Sequence, residues 1–232
     1  MSYSELIKDF EKLRNQQKAK VLSGFFKTGK GEYGEGDVFL GIVVPTQRKL
    51  AKKYAGLALG DLQHLLDSKI HEHRLTALFI LIGRYKKSAE NERERIVKFY
   101  LRNARKINNW DLVDLSAPNI LGDYLLDKDK AVLYKLASSK NLWERRIAML
   151  AAFRFIRENK FDDALRIAET LLKDKHDLIH KSAGWMLREI GKRDLPSEER
   201  FLKKHHKVMP RTMLRYAIER LPESKRKIYL AS

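Results

Sequence analysis

Along most of the chain apolar residues return every three or four positions, and no stretch alternates apolar and polar residues over the length of a strand. That periodicity predicts an all-α protein. The spacing predicts one helix from Ser2 to about Phe26, one from Pro45 to about Tyr54, and a short one that Asp61 caps and that ends at Leu66. Further helices are expected over about 70–86, 91–105, 110–126, 129–137, 141–158, 161–173, 177–192, 197–207, 210–220 and 222–230. Ser2 with Glu5, Asn91 with Glu94 and Asn141 with Glu144 each repeat the pattern of a capping residue followed three positions later by an acid, which satisfies the free amides of a first helical turn. Pro45 suits a first turn, whereas Pro118 falls inside the 110–126 run and should kink or shorten it. The glycine-rich stretch Thr28–Gly36 follows a helix instead of a strand and lacks the spacing of a phosphate loop, so nucleotide binding is not expected there.

A longer period overlies the helical one. Arg74-Leu75-Thr76-Ala77-Leu78 is similar to Arg146-Ile147-Ala148-Met149-Leu150, and half that interval falls on Trp110-Asp111-Leu112-Val113-Asp114. The same step beyond Arg146 reaches Ser182-Ala183-Gly184-Trp185-Met186. A period of about 36 residues with two helices per unit matches a HEAT-like helical-repeat solenoid, here a single domain over 1–232 with one concave face. Counting Arg74, Trp110, Arg146 and Ser182 as position zero puts Asp114 at position four and Trp185 at position three. Those positions share a helix face. Trp110, Asp114, Arg146 and Trp185 should therefore line one cleft. The plainer alternative makes both tryptophans core and Asp114 an ion-pair partner of Arg146.

Charge sharpens this expectation. The chain has 48 Lys and Arg against 30 Asp and Glu, a net charge of +18, and an excess of that size attracts polyanions, nucleic acid first among them. From Lys192 to Lys227 alone there are twelve basic residues against five acids, a candidate backbone-binding flank or merely a solvated basic surface. With no cysteine, disulfides, thiol catalysis and thiolate metal sites are excluded. The amino terminus carries no signal-like apolar run and no segment approaches the ~20 apolar residues of a membrane helix, so a cytoplasmic location is the default expectation. His71 and His73 are two residues apart and diverge on a helix, His205-His206 lies in a basic run, and no metal or cofactor site is expected. Asp111, one position after Trp110, faces elsewhere and is assigned to the helix terminus.

Asn109-Trp110-Asp111-Leu112-Val113-Asp114, followed by Leu121-Gly122-Asp123, resembles the active-site helix of the AlkD family of DNA alkylation-repair glycosylases. Asn141-Leu142-Trp143-Glu144-Arg145-Arg146 resembles that family's arginine segment, and Ala183 to Glu189 its second tryptophan segment. Phe39-Leu40-Gly41-Ile42 with Pro45 and Arg48 resembles its first repeat. The resemblance spans nearly the whole chain. It implies a solenoid around duplex DNA that excises N3- and N7-alkylated purines with the base still stacked, Asp114 as the catalytic carboxylate, Trp110 and Trp185 against the lesion's deoxyribose, and Arg146 at the backbone. Phe25 stands where a member of that family has a tyrosine after its first helix, so the aromatic surface is kept and a hydroxyl lost. The 28–36 loop is also longer here.

The chemistry suits those residues independently. A purine alkylated at N3 or N7 is a cationic leaving group, and as its glycosidic bond stretches positive charge moves onto the sugar. A carboxylate beside the sugar stabilises that charge, the faces of two indoles add to it, and a guanidinium such as Arg146 grips a phosphate with a planar fork. Arg48, Arg154 and Arg188 are the candidates for further phosphate contacts and Phe25 for an aromatic one. No lysine falls in phase with Asp114, which argues against Schiff-base lyase chemistry. The expected partner is duplex DNA bound by a monomer. Two other functions fit the same pattern: a non-catalytic DNA-binding protein of this fold, and a HEAT-type scaffold for an acidic protein.

Overall fold

The computed structural model describes residues 1–231 and is helical throughout; among them the only β pairing is an isolated bridge between Val38 and Ile70. The chain divides into two compact units, Met1–Leu112 and Val113–Ser232.

In the first unit, α1 (Tyr3–Lys12), α2 (Gln16–Phe25), α3 (Val44–Lys53), α4 (Leu59–Leu66), α5 (His71–Lys87) and α6 (Glu90–Arg102) follow in order. The single helix expected to Phe26 is two helices. The Asn15 side chain accepts from the amide of Lys18 and so starts α2, while its own amide donates to Leu40 O at 2.8 Å. That second bond ties the break to a residue 25 positions on, which a local pattern cannot display. Ser2 and Glu5 form the expected capping box on α1. Asp61 is not the cap of α4. It lies in the first turn and accepts from the amide of Ala58, the residue that occupies the cap position. Asn91 is likewise inside α6, which begins after Ala89.

The chain between α2 and α3 is held by α5. The Glu72 carboxylate is fully buried and accepts the amides of Leu40, Gly41 and Ile42 at 2.8–3.2 Å. Gly41 is required there: its φ is +83°, and a Cβ would lie 2.1 Å from Asn15 O. The loop at 28–36 binds itself, since the amides of Gly29 and Gly31 donate to Glu32 and Glu35. The amides a phosphate would need there are thus filled by the loop's own carboxylates.

Helix α7 (Trp110–Ser116) runs across the division. It is shorter than expected. Pro118 has no amide to continue the ladder, and the chain widens into a π-type turn over Pro118–Gly122, with Gly122 N donating to Ala117 O at 2.8 Å, before α8 (Asp123–Leu125). The second unit continues with α9 (Ala131–Ala137), α10 (Leu142–Arg157), α11 (Asp162–Thr170), α12 (Asp177–Gly191), α13 (Leu195–His205), α14 (Arg211–Ala217) and α15 (Glu223–Leu230). Its core helix is α10, whose residues 147–152 are all fully buried. Asn141 caps α10 as the sequence implies, accepting from the amides of Trp143 and Glu144. Glu144 does not return to the cap residue but accepts from the Ser139 hydroxyl. No helix among the described residues is long and apolar enough to cross a membrane.

Candidate active site

The cap on α10 sets the register that points Arg146 inward. Arg146 is only 5 % exposed, and its guanidinium forms a bidentate pair with Asp114: Nε to Oδ1 and Nη2 to Oδ2, both at 2.8 Å. Its Nη1 donates to Leu178 O in the first turn of α12. The planar fork that the sequence suggests for a phosphate thus lies on the carboxylate. The ion pair itself was the plainer of the two sequence readings, and its geometry is the strong one for a guanidinium. Asp114 nevertheless keeps 19 % of its side-chain surface open, enough for the carboxylate to face a substrate while its two oxygens are held.

Within the same unit α12 presents Trp185, half-buried, with its indole N–H donating to Glu189 at 3.2 Å and its ring 5.5 Å from that of Phe153. Arg157 lies over the other ring of this pair, its guanidinium carbon 4.1 Å from the Phe153 centroid. Gly184 lets α12 sit tightly on α14, since a Cβ there would be 2.3 Å from Met213 O. Phe153 and Arg157 carry no motif of their own, but their spacing of four on the helix of Arg146 would have selected them as a pair. Two of the arginines assigned to phosphates are engaged with acids. Arg154 bonds Asp123 at 2.9 Å and also Glu158, and Arg188 pairs with Glu219.

The first unit holds the other aromatic group. Trp110 begins α7, with the Asn109 side-chain oxygen accepting its amide at 2.8 Å. Its ring stacks on Phe26, centroids 5.3 Å apart and planes at 23°, and Phe26 stacks in turn on Phe39. Phe25, 62 % exposed, stands edge-on to Trp110 at 5.9 Å. Arg48 lies over the Phe79 ring at 4.1 Å. Along α7, Asp114 follows Trp110 by one turn.

Sequence reasoning missed a buried ionic chain beneath Trp110. Asp111 does face away from Trp110, but toward His71: the imidazole Nε2 lies 2.8 Å from Asp111 and Nδ1 3.3 Å from Asp37, which also pairs with Arg74 at 2.7 Å. His71 is 2 % exposed. Burial alone would lower its pKa, but the charge and hydrogen bond of Asp111, with help from Asp37, outweigh it and hold the imidazole up at about 9. Burial pushes the other way on Asp37, raising its pKa, and there the His71 hydrogen bond and the Arg74 charge win and lower it. His73, two residues on and directed elsewhere, has no carboxylate partner and meets the Ser68 hydroxyl at 3.0 Å instead. Burial, then the Arg74 charge, press it down to about 4. The available signal was four consecutive polar residues, His71 to Arg74, opening a helix that from Leu75 to Gly83 is apolar but for Thr76. All four are buried. No group of three or more His, Asp or Glu among the described residues is disposed to hold a metal.

The fold matches solved structures over almost its full length. A predicted DNA alkylation repair enzyme from Enterococcus faecalis superposes with a TM-score of 0.69 at 18 % identity, covering 90 % of this chain and 97 % of that one. AlkD2 from Streptococcus mutans matches with a TM-score of 0.56 at 19 % identity, covering 94 % and 96 %. At such identities the likeness establishes an all-α, helical-repeat fold. A search of curated proteins finds no match. The family model described as "DNA alkylation repair enzyme" matches residues 6–221. The chain belongs to the DNA alkylation repair enzyme family.

Proposed function

We propose that this protein is a monofunctional DNA glycosylase that releases N3- and N7-alkylated purines from duplex DNA, acting as a monomer in the cytoplasm. The observation that carries the reading is the Asp114 carboxylate, held by two 2.8 Å bonds from Arg146 yet partly open, one helical turn after Trp110. The bond from C1′ to the purine nitrogen breaks with its electron pair moving onto the cationic base, which leaves neutral. No acid is needed to protonate it. Charge accumulates on the sugar, and Asp114 stabilises it electrostatically and orients the water that forms the new C1′–O bond, one O–H bond of that water breaking as its proton passes to solvent. Arg146 acts through Asp114 as a positioning residue. Trp110, one turn before Asp114 on α7, offers an indole face to the cationic sugar, with Phe25 extending the aromatic surface, and the family resemblance implies the same role for Trp185. Because the residues need reach only the sugar, the base stays stacked. The net charge of +18 supplies attraction to the phosphate backbone, with Arg48, Arg154 and Arg188 as contacts once DNA displaces their present partners.

A second reading has one specific observation in its favour. The charge of Asp114 is already matched by a guanidinium in bidentate geometry, which suits a non-catalytic DNA-binding protein of the same fold. Single-turnover incubation with methylated duplex DNA separates the two. Release of free 7-methylguanine or 3-methyladenine above the rate of protein-free DNA is the expected result. Tight duplex binding without release supports the second reading, and failure to bind duplex DNA at moderate salt rejects both in favour of a protein-interaction scaffold.

A further inference from the structure

Three of the contacts that fix Trp110 lead back to one imidazole. The first runs through Asn109, which is fully buried: its side-chain oxygen accepts the Trp110 amide at 2.8 Å, and its Nδ2 donates to Asp37 at 3.4 Å. Asp37 in turn faces His71 Nδ1 at 3.3 Å and pairs with Arg74 at 2.7 Å. The second runs through Asp111, the residue after Trp110, one oxygen of which lies 2.8 Å from His71 Nε2 while the other accepts the Leu112 amide at 2.9 Å. The third is a stack of rings. Phe26 lies 4.9 Å from the imidazole and 5.3 Å from the indole, and Phe39 covers the imidazole at 4.7 Å. The indole itself is half-buried, so its angle depends on these contacts. An ionised carboxylate only accepts hydrogen bonds. An imidazole with a carboxylate at each nitrogen therefore satisfies both only as the imidazolium, with an N–H at each end. The charged groups that face it are Asp37 from the loop before α3, Asp111 from α7 and Arg74 from its own helix. Glu72, next along α5, is turned to the amides of Leu40, Gly41 and Ile42, and Lys18 of α2 lies across the adjoining cavity.

We propose that His71 is a positioning residue: it ties both chain neighbours of Trp110 and the ring beneath it, and so sets the angle at which the indole face meets the substrate's sugar. That the indole meets a sugar rests on the glycosylase reading; that His71 holds the indole does not. Asp114 has its own holder in Arg146, and His71 does for the indole what Arg146 does for the carboxylate. Loss of either N–H releases one flank of Trp110 while leaving the other attached, so the ring is displaced and the binding surface stays in place.

Two measurements test it, one of them without DNA. In protein labelled with 5-fluorotryptophan the chain's three tryptophans give three fluorine resonances, and Trp110→Phe identifies the one from Trp110. In wild type that resonance should shift with a midpoint at about pH 9, where the imidazole gives up one N–H, while the resonance of Trp143, buried in α10, does not. In His71→Gln the step should vanish. No step near that pH in wild type, or the same step in His71→Gln, overturns the proposal. Single-turnover release of 3-methyladenine from methylated duplex DNA reads the effect on the chemistry. His71→Gln should lower the maximal rate by about 10- to 10²-fold, the cost of misplacing a reacting group by about 1 Å, with the protein concentration at half-maximal rate as in wild type. In a Trp110→Ala background His71→Gln should cost nothing more, because a positioning residue acts only through the residue it holds. An unchanged rate in His71→Gln, or losses that multiply in the double variant, overturns the proposal. If His71→Gln does not fold, the fluorine titration of wild type alone decides. A wild type that releases no base refutes the glycosylase reading, and the same titration still decides whether His71 holds the indole.

Discussion

Removing the imidazole of His71 should change how the stability of this protein depends on pH. The group sits between Asp111 and Asp37 with its pKa raised from 6.5 to about 9. At about 1.4 kcal/mol per unit, that shift corresponds to about 3 kcal/mol of preference for the protonated native state. The folded chain holds a proton that the unfolded chain releases above pH 6.5, so stability falls as pH rises. The contribution is fully present below pH 6.5, declines between 6.5 and 9, and is down to a few tenths of a kcal/mol at about pH 9. Glu198 titrates in an overlapping window. Burial first, and the neighbouring Glu199 charge second, raise it to about 8, and its neutral form likewise loses stability as pH rises from 4.5 to 8. A pH profile of wild type alone therefore mixes the two, and the difference between wild type and His71→Gln isolates the imidazole. Urea unfolding at pH 6.0 and 9.0 reads it. The deficit of His71→Gln relative to wild type should shrink by about 3 kcal/mol from the lower pH to the higher. An equal deficit at both values would show that His71 is neutral in the native protein and that the ionic chain beneath Trp110 is wrongly assigned.

Three further outcomes follow from single contacts. Asn141→Ala removes two hydrogen bonds that start α10 and should cost about 1 kcal/mol, read as a lower thermal midpoint; no change would mean the cap does not set α10. Gly184→Ala places a methyl 2.3 Å from Met213 O and should destabilise by about 1–3 kcal/mol, with a changed Trp185 emission, whereas a neutral result would mean α12 and α14 separate freely. Arg154→Ala should reduce the slope of log affinity for duplex DNA against log salt by about one; an unaltered slope removes Arg154 from the footprint and leaves it as the partner of Asp123 and Glu158.

The helices were legible because each carries its own apolar stripe, and the caps at Ser2 and Asn141 because the bonds that make them are three residues long. The break at Asn15 was not, since it depends on Leu40, and Asp61 was misplaced because an acid in the first turn and an acid at the cap position look alike in sequence. The pairing of Asp114 with Arg146 was visible as a shared repeat phase, but the phase could not say whether the guanidinium holds the carboxylate or a phosphate. The cluster of Asp37, His71 and Asp111 was hidden for a different reason. Its members are separated by 34 and 40 residues, and sequence assigns charged residues to the surface by default because burial of a charge is costly without partners. The partners exist only in the fold. Glu72 was overlooked on the same ground, as its partners are backbone amides that no sequence pattern marks.

In the proposed glycosylase, the carboxylate of residue 114 lowers the barrier to losing an alkylated base. The most direct test is the single-turnover release of 7-methylguanine from methylated duplex DNA by wild type and by Asp114→Asn, with duplex affinity measured in parallel. Loss of one preorganised charge predicts a rate lower by ~10²–10³-fold with affinity retained. Equal rates in the two proteins would contradict the account.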